Sequence, residues 1–157
     1  MYQLITKGED IMEAQILKNL FKEIYEEDVY FTFQSSNNEL RIFILELLKK
    51  FNLEPKENED FLFLNLTKDE SDFLKINQIF IFIEDDLYVI GKVEEEKGYQ
   101  LEIIPNFEVE SIKLQTKSKY HLEIDSMELK ISGYTFEINE TLKNEHLLEL
   151  VNRLKKL

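Results

Sequence analysis

The sequence predicts an α+β fold: an N-terminal α-β-α-β lobe packed on a small antiparallel barrel or rolled sheet of seven strands that is capped by a C-terminal helix. Three observations support this prediction. Residues 1–76 alternate helical and strand patterns, residues 78–138 form a train of short segments with a period of two, and residues 141–157 carry an apolar stripe at helical spacing. Short strands at turn-punctuated spacing are typical of small barrels and rolled sheets.

The N-terminal lobe is predicted from four successive patterns. They are a helix over Glu9–Glu27, a strand over Val29–Gln34, a helix over Glu39–Phe51 and a strand over Phe61–Leu66. The last is a continuous apolar run, which predicts a strand buried on both faces. On the second helix, Ile42 and Leu45 lie opposite the main apolar face, so this helix is a candidate for burial on both sides and for a homodimer contact.

The barrel is predicted from alternation of apolar and polar residues. Its strands are Gln78–Glu84, Leu87–Glu94, Tyr99–Ile104, Phe107–Gln115, Lys119–Asp125, Met127–Ile131 and Tyr134–Ile138. Gly91 suggests a bend or bulge in the second of these strands. In the fourth, the apolar parity changes between Val109 and Ile112, which requires a bulge or break at Glu110-Ser111 because a one-residue slip reverses the faces.

The final helix is predicted over Thr141–Leu157, where it would cover the open end or flank of the barrel. The predicted parts are a lobe of residues 1–76 and a barrel of residues 77–157, and the sequence shows no flexible linker between them. We therefore expect one cooperative unit rather than two independent domains.

The net charge of −13 is spread along the chain, with nine basic and sixteen acidic residues up to Ile76 and ten and sixteen after it. A uniformly negative surface disfavours direct binding to nucleic acid or anionic lipid and leaves basic proteins as plausible partners. The chain contains no cysteine, no signal-peptide pattern and no run that could span a bilayer, which predicts a cytoplasmic protein without membrane insertion. Its richness in Lys, Glu, Asn and Ile suggests a bacterial or phage origin.

Residues that could carry chemistry are few. His121 and His146 lack the spacing of a metal pair, and the four glycines are scattered singly, so no phosphate loop is formed. The phenylalanines lie in apolar runs without interleaved basic residues, which favours core packing over base stacking. We therefore predict no catalytic residues, no metal site and no cofactor.

Two acidic turns are the candidate interaction loops. They are Glu84, Asp85 and Asp86 in the first predicted hairpin, and Glu94, Glu95 and Glu96 in the next. Neither has the spaced oxygen ligands of a calcium loop, and consecutive acids in a hairpin usually point into water. We interpret both turns as protein-facing surfaces.

Three features together resemble the bacterial pleckstrin-homology-like (PH-like) domains, over about half of the chain. These are the opening hairpin from Ile79 to Ile90, the proline-containing lead from Ile104 to Ile112, and the last helix. The resemblance implies a seven-stranded bent barrel and a binding module. Members of the wider superfamily that hold phosphoinositides use basic loops, whereas the corresponding turns here are acidic, so protein binding is the expectation.

The sequence thus predicts a non-enzymatic, cytoplasmic protein-interaction module. A second hypothesis is a small acidic inhibitor, or an immunity or anti-defence protein, that blocks the basic site of a nucleic-acid enzyme with carboxylates placed where phosphates would sit. A third is a small hydrolase or ligand-sequestering protein, which would have a deep cavity with converging polar groups.

Overall fold

The computed structural model describes residues 37–56, 59–68, 70–71, 74–91, 98–141 and 144–156. Within them lie two helices and seven antiparallel strands, in the order α1 (Asn37–Lys50), β1 (Phe61–Lys68), β2 (Leu74–Ile83), β3 (Asp86–Gly91), β4 (Gln100–Ile104), β5 (Val109–Ser118), β6 (His121–Ile131), β7 (Tyr134–Ile138) and α2 (Asn144–Lys155). The α+β class is confirmed. The predicted helix Glu9–Glu27 and strand Val29–Gln34 lie outside the described residues.

The first sheet has four strands in the order β1-β2-β3-β4. Its central strands are apolar on both faces because each face is covered by another layer. Leu64 and Ile81 pack with α1 on one face, whereas Phe63 and Phe80 pack toward the second sheet on the other. The prediction that Phe61–Leu66 is buried on both faces is confirmed, since all six residues are buried.

Helix α1 forms the outer layer on the first sheet. Its Ile44, Leu47 and Leu48 are buried against the sheet, at the spacing expected for one helical face. The predicted burial of the opposite face of α1, which carries Ile42 and Leu45, is only partly observed. Leu45 is half-buried and packs against the same core, but Ile42 is 53% exposed.

The second sheet has three strands in the order β5-β6-β7. The register between β5 and β6 shifts between Val109 and Ser111, which confirms the bulge predicted at Glu110-Ser111. The predicted strands Lys119–Asp125 and Met127–Ile131 are instead one strand, β6. A second register shift, between Gln115 and Thr116, absorbs the change of apolar parity between Ile124 and Met127. No such shift occurs at Gly91, where β3 ends with its pairing regular.

The two sheets face each other, and β7 runs across the first sheet from one edge to the other. At its start, the Tyr134 hydroxyl donates to Glu102 of β4, which raises the pKa of Tyr134. In the middle, Phe136 meets Phe80 of β2 edge to face at 5.0 Å. At its end, Asn65 Nδ2 of β1 donates to the carbonyl oxygen of Glu137 at 3.1 Å. The crossing is typical of an orthogonal sheet packing.

The prediction of a closed barrel is wrong. The strands form separate sheets of four and three, and β5 pairs only with β6 among the described residues. The chain changes layers between β4 and β5, at a turn where Asn106 adopts a left-handed conformation (φ 49°). The seven strands also begin at Phe61 rather than Gln78, and β2 runs through the predicted boundary at residue 76. The strand assigned to the N-terminal lobe is thus hydrogen-bonded to the downstream sheet.

Candidate functional site

A groove of ≈ 910 Å³ opens where β5, α2 and the turn between β2 and β3 meet. Its floor is apolar and consists of Phe107, Val109, Ile112, Leu114, Val151 and Leu154. Its rim is charged and consists of Glu84, Asp85, Glu108 and Lys155. An apolar concavity with a few charged groups at its margin is the usual composition of a binding site on a protein surface.

The first wall of the groove is the β2–β3 turn, which is held in place by Asp60. One carboxylate oxygen of Asp60 accepts the backbone N–H of Glu84 at 2.9 Å, and the other accepts that of Lys56 at 2.6 Å. Asp60 is a buried polar residue. Its hydrogen bonds replace the water it loses and fix Glu84 in a left-handed conformation (φ 56°).

The turn is also tied to the segment that leads into β5. Asp86 Oδ1 accepts the backbone N–H of Asn106 at 3.0 Å, and the carbonyl oxygen of Asp85 accepts that of Phe107 at 3.0 Å. The Phe107 ring then packs edge to face on Phe82 at 5.4 Å. The backbone of the β2–β3 turn and the start of the apolar floor are therefore tied to each other.

Helix α2 forms the opposite wall. Leu147, Leu150 and Leu154 are buried between the two sheets, which fixes the helix rotation and leaves Val151 half-buried at the groove. The guanidinium of Arg153 lies over the Phe61 ring at 4.9 Å, a geometry suited to a cation–π contact. The predicted helical stripe is confirmed for the three buried leucines.

Strand β5 borders the groove with an exposed edge. Among the described residues it pairs only with β6, on one side. Its Val109, Ser111, Ile112 and Leu114 line the groove, and Leu114 is 39% exposed. An exposed strand edge presents backbone N–H and C=O groups that can pair with another chain.

The structure places one of the two predicted acidic loops at this groove. Glu84 and Asp85 line its rim, whereas the carboxylate of Asp86 accepts a backbone hydrogen bond within the fold. Glu94, Glu95 and Glu96 lie outside the described residues. His146 is half-buried on α2 and His121 belongs to β6. Among the described residues, no group of three His, Asp or Glu side chains is placed to hold a metal ion.

Sequence reasoning missed the apolar floor. Ile112 and Leu114 were placed only in the opposite register from Phe107 and Val109, and no groove beside them was predicted. The parity change after Val109 was the available signal, because it showed that β5 departs from regular pairing where the groove begins.

The carboxylates of the β2–β3 turn also act on Tyr88, which lies on the other face of the first sheet. Burial raises the pKa of Tyr88 above its ordinary value of 10.0, and the negative charges of Asp86 and Glu84 raise it further. The unfolded chain therefore loses this proton at lower pH than the folded protein. The corresponding stability is fully present below pH 10.0 and is lost as the pH rises through the higher folded value.

We expect Tyr88→Phe to flatten the fall in the free energy of unfolding above pH 10.0, because it removes the titrating hydroxyl and retains the ring. The measurement is urea denaturation at a series of alkaline pH values. Tyr120→Phe, at an exposed turn position, is the control and should follow the unmodified protein. Identical profiles for Tyr88→Phe and the unmodified protein would contradict the assignment.

Among the residues that the structure describes, no helix is long and apolar enough to cross a membrane. Comparison of the chain with protein-family models, with curated proteins and with solved structures finds no match.

Proposed function

We propose that this protein is a non-enzymatic, cytoplasmic protein-interaction module of the PH-like type, and that the groove beside β5 is its binding site. The observation that carries the proposal is the groove itself: an apolar floor with a partly exposed Leu114, next to a strand edge and under a rim of carboxylates. Apolar contact provides affinity for a polypeptide, and the rim favours a basic one.

The order of elements supports the PH-like assignment. Seven antiparallel strands in two facing sheets are followed by a helix that lies against the gap between them. In the wider superfamily, phosphoinositides are held by basic loops. Here the β2–β3 turn at the groove carries Glu84 and Asp85, whose charges would repel an anionic headgroup. A protein partner is consistent with both the fold and the charge.

Leu114→Glu tests the groove. A carboxylate on the apolar floor must be desolvated when a partner binds, which should weaken binding by roughly 2 kcal/mol, or about 30-fold. Proximity labelling and affinity capture in cells that produce the protein measure this effect. We expect the partner to be recovered with the unmodified protein and not with Leu114→Glu. Ile103→Glu is the matched control. Ile103 is, like Leu114, an aliphatic residue on a strand with similar exposure (42%), but it does not line the groove.

Equal recovery of partners with both variants would contradict the groove as the binding site. The same capture at increasing salt concentration distinguishes the inhibitor hypothesis from the interaction-module hypothesis. A partner that is a nucleic-acid enzyme, is released steeply by salt and competes with DNA or RNA would favour an acidic inhibitor over an interaction module.

A further inference from the structure

One edge of β5 pairs with no other strand among the described residues, and a regularly paired stretch of β5 lies along it. Register shifts interrupt its pairing with β6 at three places, between Val109 and Ser111, between Gln115 and Thr116, and between Thr116 and Ser118. At the first shift the extra residue, Glu110, belongs to β5 and bends this strand, whereas at the other two the extra residues belong to β6. The regular stretch is Ser111–Gln115, which is five consecutive pairs with β6.

This regular stretch coincides with the groove. Ile112 and Leu114 point to the groove side, opposite Leu129 and Met127 of β6, and both line its floor. Lys113 and Gln115 alternate with them and line a neighbouring depression, which Leu114 also borders, while Ser111 lines the groove beside Ile112. A strand added at this edge would therefore place every second side chain over the apolar floor, between β5 and Val151 of α2.

The charged residues on the rim of the groove are mostly acidic. Glu84, Asp85 and Glu108 outnumber Lys155, and the first three lie around the start of β5, where the Asp85 carbonyl accepts the Phe107 amide. A net negative rim attracts a positively charged segment and disfavours an acidic one. The occupant should therefore carry Lys or Arg beyond its apolar residues, at the end that lies next to the β2–β3 turn.

We infer that the groove binds an extended segment of a basic partner protein by adding it as a fourth strand to the second sheet, along Ser111–Gln115. The segment has the pattern apolar-x-apolar, with a Lys or Arg beyond it. This inference rests on the proposed function and specifies its ligand. Backbone pairing with β5 supplies much of the affinity, and the groove selects the alternate side chains.

The test uses the full-length protein and a displayed library of random linear ten-residue peptides. Peptides are selected on the unmodified protein and counter-selected on Leu114→Glu. We expect enrichment of apolar-x-apolar peptides with a flanking Lys or Arg, and binding at least tenfold weaker to Asp85→Lys. Asp125→Lys, an exposed acid on β6 that does not line the groove, is the charge control and should bind as the unmodified protein does.

Strand addition has its own signature in the selected peptides. Methylation of single backbone nitrogens should abolish binding at every second position and be tolerated between them, because alternate N–H groups face the edge strand. Hydrogen exchange should show new protection of amides within Ser111–Gln115. Peptides that require Leu114 but show neither the alternation nor the protection would overturn strand addition and leave the groove as a binding site. A library that yields no Leu114-dependent peptide would overturn this inference, whereas the proposed function stands or falls by cellular capture with Leu114→Glu.

Discussion

Replacement of Phe80 by alanine is expected to lower the free energy of unfolding by about 4 kcal/mol. Phe80 is 1% exposed and lies in the layer between the two sheets. Its ring contacts Phe136 of β7 at 5.0 Å and Phe63 of β1 at 6.3 Å, measured between ring centroids. The substitution would remove apolar contact from both sheets at once and leave a cavity that neither sheet can fill alone.

Urea denaturation measures this effect, with Phe51→Ala as the matched control. The control deletes the same atoms from a ring that is 42% exposed at the end of α1 and contacts Tyr88. We expect it to lower the free energy of unfolding by about 1 kcal/mol, because much of its surface is already hydrated. Equal losses from the two variants would show that the layer between the sheets contributes no more than the outer helix.

Asp60→Ala is expected to lower the free energy of unfolding by about 3 kcal/mol. The variant removes a buried carboxylate that accepts two backbone hydrogen bonds, from Lys56 and from Glu84. Both donors would be left without this acceptor, and that loss is larger than the net contribution of an exposed hydrogen bond. The turn that carries Glu84 and Asp85 should loosen, so hydrogen exchange of the Glu84 amide should accelerate.

Asp125→Ala is the control for Asp60→Ala, since Asp125 is an exposed acid on β6. We expect it to change the free energy of unfolding by less than about 0.5 kcal/mol. Thermal and urea denaturation measure the loss of free energy of unfolding in each variant. Hydrogen exchange shows whether the loss in Asp60→Ala is located at the β2–β3 turn. An unchanged Glu84 amide in Asp60→Ala would contradict the role of this carboxylate in holding the turn.

The sequence predicted the strands and helices correctly where the periodicity of the apolar residues matches their burial in the fold. The all-apolar run Phe61–Leu66 predicted a strand with two covered faces, and the structure covers both. The leucines of α2 predicted its buried face, and the parity change after Val109 predicted a bulge at the correct dipeptide. These features depend on neighbours in sequence or on a single face, so local patterns are enough to predict them.

The arrangement of the sheets could not be predicted in the same way. Alternation shows which side chains share a face, but it does not show whether the last strand pairs back on the first. β4 and β5 diverge because Asn106 takes a left-handed turn that is tied to Asp86, a contact between residues that are distant in sequence. The groove arises from this divergence, so its apolar floor could not be predicted from β5 alone.

Lys113 stands at the centre of the five-residue run on β5 and is exposed. If two copies of this protein joined antiparallel through that run, symmetry about its centre would place one Lys113 directly opposite the other. Like charges in that position repel, which disfavours self-association through this edge. A foreign chain can instead place an acidic or neutral residue there. The central lysine thus discourages fibril-like stacking of identical molecules while it leaves the edge open to a different protein.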